Sequence, residues 1–101
     1  MKKFAYVMRM SSLTSPQRFV GELETGSVKA CVYAVQNAGQ AKAKVLELWR
    51  EGFGMIEICG AFGREFALEL IELTNNEVAI GYVVNEPQQE EVLARTFYDA
   101  I

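Results

Sequence analysis

The chain has 101 residues, half of them apolar, with 23% charged residues and a formal net charge of −3. That balance excludes a disordered chain, and the lack of any long lysine or arginine run excludes the electrostatic footprint of a nucleic-acid binder. With no histidine and only two cysteines, Cys31 and Cys59, the chain cannot build a Ser-His-Asp or Cys-His centre or an ordinary zinc site.

One domain over residues 1–101 is expected from the length. Lys2 and Lys3 precede an apolar stretch that Arg9 interrupts too early for a secretory signal, and no later run is long enough to span a bilayer. The expected compartment is the cytoplasm, where neither cysteine is expected in a disulfide.

Phe4 to Met8 reads as a first, buried strand. Ser11-Ser12-Leu13-Thr14-Ser15-Pro16 is a hydroxyl-rich loop, and Ser15 before Pro16 suits a helix start, so a short helix over Pro16 to Leu23 is expected although Gly21 weakens it. Thr25-Gly26 turns the chain. Val28 to Val35 is the second strand. Asn37-Ala38-Gly39-Gln40 resembles a capping box, and Ala38, Ala41, Val45 and Leu48, joined by Leu46 and Trp49, form one helical face with Lys42, Lys44, Glu47 and Arg50 largely opposite.

Gly52 stops that helix, and Met55 to Cys59 is the third strand. Gly60-Ala61-Phe62-Gly63 is the turn into a helix that faces inward with Phe66, Ala67, Leu70 and Ile71 and ends at Asn75-Asn76. Val78 to Val84 is the fourth strand. Asn85-Glu86-Pro87 opens a last helix with Val92, Leu93, Phe97 and Ile101 as its apolar stripe, and the aromatic residues, Tyr98 among them, are mostly core by spacing.

Alternation of strands with helical segments predicts an α/β fold, a small three-layer sandwich with a four-stranded, mainly parallel sheet in the flavodoxin-like order 2-1-3-4. A ferredoxin-like α+β sheet is the alternative. In open parallel sheets a ligand binds outside the carboxyl ends of the strands where the order reverses, here between the first and third strands. The expected ligand-binding residues are therefore Arg9, Ser11, Ser12, Gly60, Ala61, Phe62, Gly63, Arg64 and Asn85. Glycines let backbone approach a ligand, and the following helix start suits a small anion. Glycines also serve purely structural strand-to-helix turns.

Glu57 shares a strand face with Met55 and Cys59, and a carboxylate covered on both sides is either a raised-pKa general base or paired with Lys29, Arg9 or a backbone donor, or at the sheet rim. Cys59, just before a helix, is a candidate nucleophile or a small buried hydrophobe. Phe62 covers a ligand, inserts into a neighbouring subunit, or plugs the core.

The run Ile56-Glu57-Ile58-Cys59-Gly60-Ala61-Phe62-Gly63 resembles the strand and turn of a family of short bacterial and archaeal proteins classed as a domain of unknown function. There a Glu-x-Cys-Gly-x-Phe-Gly series follows a helix ending in Glu-Gly, as Glu51-Gly52 do here. The resemblance extends to the apolar first strand and to Ala79-Ile80-Gly81-Tyr82-Val83-Val84, while Ala61 stands where glycine is usual and the region after Asn85 departs from the usual ending. It implies a fold and a place for the motif, with no activity attached.

The leading expectation is a protein that binds a small anionic molecule at the turn after the third strand. A histidine-free enzyme using Glu57 as base or Cys59 as nucleophile is the second, and an oligomeric interaction module, a homo-oligomer that protects its sheet edges, is the third. No metal, cofactor, nucleic acid or membrane is expected as partner.

Overall fold

A computed structural model describes residues 1–97 of the chain. Strand β1 (Lys2–Arg9) is followed by β2 (Gln17–Glu24), β3 (Val28–Val35), helix α1 (Ala38–Arg50), β4 (Met55–Ile58), α2 (Gly63–Leu73), β5 (Ala79–Tyr82), a 3-10 turn over Pro87–Gln89, and α3 (Glu90–Thr96). The sheet has five strands in the order β2-β3-β1-β4-β5. β1 pairs parallel with β3 and β4, and β4 parallel with β5, while β2 runs antiparallel to β3. The α/β class holds, and the four-stranded sheet is corrected to five strands. The predominance of parallel pairs sets the ferredoxin-like alternative aside.

The correction comes from β2, where the sequence pattern suggested a helix over Pro16 to Leu23. Ser15 caps nothing; its hydroxyl donates to the Gln17 carbonyl at 3.0 Å. Phe19, Val20 and Leu23 suit an extended strand, and the Thr25 hydroxyl accepts from the Ser27 and Val28 amides at 3.2 and 3.0 Å, closing a tight hairpin onto β3. A bulge between Phe19 and Gly21 shifts the register midway. Gly21, which weakened the helical reading, sits beside this bulge.

That strand also changes the number of layers. The crossovers β3-α1-β4 and β4-α2-β5 advance across the sheet in one direction, so right-handed connections put both helices on the same face. Register places Ala5, Val7, Cys31, Val35, Ile56 and Ile58 together on that face, and all six are buried. They form one core with Ala41, Val45 and Leu48 of α1 and Phe66, Ala67 and Leu70 of α2.

The opposite face carries Phe4, Tyr6, Ala30, Val32, Met55, Glu57 and Leu23, and none of these joins the core. In a flavodoxin-like sandwich a helix between the first two parallel strands covers that side. Here β2 occupies that connection, so the expected three layers are two. No described helix packs broadly over the second face.

Further differences are local. Lys44, expected outward on α1, is buried because its ammonium lies 4.4 Å from the Tyr33 ring centre and 2.9 Å from the Glu47 carboxylate. The strand expected over Val78 to Val84 spans Ala79–Tyr82, and the Val83 amide just beyond it donates to the Ile58 carbonyl at 3.1 Å. The last helix begins with a 3-10 turn and leaves Val92 and Phe97 exposed, so its apolar stripe is not buried among the described residues. Ile101 and Tyr98 lie outside the described residues. No described helix is long and apolar enough to cross a membrane.

Candidate functional site

The glycine-bracketed turn after β4 has a separate cause for each glycine. A Cβ on Gly60 would lie 2.9 Å from the Val83 carbonyl oxygen, so β4 and the end of β5 approach this closely only if that residue has no side chain. Gly63 has φ of +79°, in the left-handed region, and opens α2. The Phe62 amide donates to the Cys59 carbonyl at 3.1 Å and closes the turn between them. Phe62 at the N-cap provides no side-chain cap, which leaves the first N–H groups of α2 without that partner.

Phe62 itself stacks on Phe66 with ring centres 5.0 Å apart and packs against the core. Of its three expected roles, the core plug is the one the geometry displays. Arg64 points into the exposed first turn of α2, and Ser11 and Ser12 are exposed in the loop after β1.

Two hollows adjoin at this edge of the sheet. The larger, about 420 Å³, opens beyond the ends of β4 and β5 and is lined by Cys59, Gly60, Ala61, Gly63 and Asn85 of the expected site, with Leu93 and Phe97 of the C-terminal segment across from them. It therefore lies one strand over from the expected crevice, beyond the ends of β4 and β5, while the β1–β4 gap is closed by hydrogen bonds. The Cys59 amide donates to the Val7 carbonyl, and the Cys59 sulfur accepts the Arg9 amide, both at 3.1 Å. The smaller, about 250 Å³, lies at the end of β1 and is lined by Tyr6, Met8, Arg9, Met10, Cys59 and Phe97. Cys59 and Phe97 border both. Arg9 lines the second hollow only, and Ser11, Ser12, Phe62 and Arg64 line neither.

Electrostatics single out two residues. The Arg9 Nε is buried and has no hydrogen-bond partner among the described residues. Tyr6 has its phenol pKa raised, first by burial and then by the neighbouring Cys59 and Glu57. Tyr6 pairs in register with Glu57, so phenol, carboxylate and thiol gather on the helix-free face at the end of β1. Sequence reading missed Tyr6 because it took the first strand as covered on both sides, and the register that sets Tyr6 opposite Glu57 exists only once distant strands pair.

Glu57 does not pair with Lys29, which bonds Glu22 at 3.5 Å, or with Arg9. It needs no buried partner, since the face it occupies is open to water. Glu57 and Cys59 do not line a common hollow. Among the described residues no group of three or more acidic or thiol side chains is arranged to hold a metal ion.

A family model, described as a family of unknown function (DUF6506), matches residues 2–98. No curated protein and no solved structure matches the chain.

Proposed function

We propose that the chain, which belongs to the DUF6506 family of unknown function, binds a small organic anion at the carboxyl edge of its sheet. The carrying observation is Arg9: its buried Nε has no acceptor among the described residues, and a buried unsatisfied donor costs about 1–3 kcal/mol until one arrives. Arg9 lines the smaller hollow, so a carboxylate bound there meets the charge of its guanidinium. The apolar body of the ligand then extends past Cys59 and Phe97 into the larger hollow, whose volume is within the range of small-molecule sites. The first amides of α2, which no side chain caps, add partial positive charge at the far wall.

Glu90 also lines the larger hollow, which favours a single negative charge over a phosphate dianion. A thermal-shift panel of aliphatic and aromatic monocarboxylates beside phosphate esters tests the reading. At least one monocarboxylate is expected to raise the melting temperature by several degrees, with the shift lost in Arg9→Gln. A panel that leaves the unmodified protein unmoved, or a shift unchanged in Arg9→Gln, removes it.

A further inference from the structure

The geometry points to a second copy of this chain as the occupant of the helix-free sheet face. The face is apolar where a monomer's outer sheet surface is ordinarily polar: Phe4, Tyr6, Ala30 and Val32 form its centre, and Leu23 and Met55 flank them at 70% and 40% exposure. Such a contiguous patch on a protein of this size marks an interaction surface.

Aligned packing of two sheets, face on face at about 10 Å, buries such a surface.

The charges on the face are also self-complementary. Glu57 stands on β4 and Arg18 on β2, three strand spacings across and two residues along the strands, about 16 Å apart, and Lys2 at the start of β1 adds a second base to the same face. Glu57 and Arg18 cannot pair within one chain. In an isologous dimer each copy presents both signs to the other, so the acid and the base each gain an opposite charge, twice over. Pairing through the edge of β2 is the competing arrangement, and the bulge between Phe19 and Gly21 interrupts the row of backbone groups it needs.

Sedimentation equilibrium of the full chain across the micromolar range tests this independently of any ligand. The expected mass is twice 11.3 kDa. Val32→Glu, which forces a charge into the centre of the face, is expected to weaken association on the order of a hundredfold or more while the far-UV dichroism stays unchanged. Met55→Lys, at a more exposed position, is expected to weaken it on the order of tenfold and serves if Val32→Glu does not fold. Leu68→Lys on the outer side of α2 is expected to leave the mass at the dimer value. A monomer at the highest concentration, or a dimer indifferent to both face substitutions, overturns the inference.

Discussion

Replacing Gly60 by alanine sets a methyl 2.9 Å from the Val83 carbonyl oxygen, a contact that backbone must yield to relieve. A loss of roughly 1–3 kcal/mol is expected, read as a drop in the thermal midpoint by dichroism. Gly63→Ala is expected to lose about 1–2 kcal/mol for a different reason, the left-handed φ of +79°. An unchanged midpoint in either variant would show that its stated cause is wrong. The two cysteines should separate cleanly under native alkylation, because Cys59 is partly exposed and Cys31 is 1% exposed. Mass spectrometry is expected to find one adduct, on Cys59, until denaturant opens the core. Tyr33 has its phenol pKa pushed up to about 12, first by burial and then by Cys31, Glu51 and Glu47. A folded pKa above the unfolded value of 10.0 gives stability that is complete below pH 10 and lost as pH climbs toward 12. Tyr33→Phe is accordingly expected to flatten the alkaline fall in melting temperature. Which glycines were needed was legible in the sequence at this scale, but the burial of Lys44 was not. Its place on the polar side of a helical wheel hides an aromatic ring supplied by another element.

At the scale of elements, α1 was legible because its signals are local. Asn37 accepts the Gln40 amide at 2.9 Å, the bond its position before the helix predicts. Asn37→Ala is expected to cost about 1 kcal/mol, measured by denaturant titration. The strand β2 was not legible in the same way. Ser15-Pro16 resembles a helix start, and eight residues are few enough that a neighbour's hydrogen bonds override local preference. The signal pointing the other way was the two-residue interval Gly26-Ser27 between two apolar segments, a hairpin spacing. Hydrogen exchange tests the outcome: amides of the central strand β1 should be protected far more strongly than those of β2, which lies at the border of the sheet. Equal protection would contradict the placement of β2 as an edge.

For the molecule as a whole, the two covering helices lie on one side, and α3 stands apart with no buried residue. Truncation after Glu86 is therefore expected to leave the thermal midpoint within a few degrees while removing Phe97 and with it the shared wall of both hollows. A collapse of the fold on truncation would show that α3 is part of the core. The candidate site was half legible. Cys59, Gly60, Ala61, Gly63 and Asn85 do meet around a hollow, because strand ends and the turns that follow them are set by neighbours in sequence. By itself the amino-acid order determined the α/β class, the helices α1 and α2, the parallel strands they connect and the position of the turn at Gly60, since hydrophobic periodicity and turn chemistry act over a few residues. Only the tertiary structure decided that the connection between β1 and β3 is a strand, that no described helix covers one sheet face, and that the larger of the two hollows at the strand ends lies beside β5. Each of these depends on which distant segment supplies a hydrogen-bonding edge or an apolar cover, and no local pattern encodes that choice.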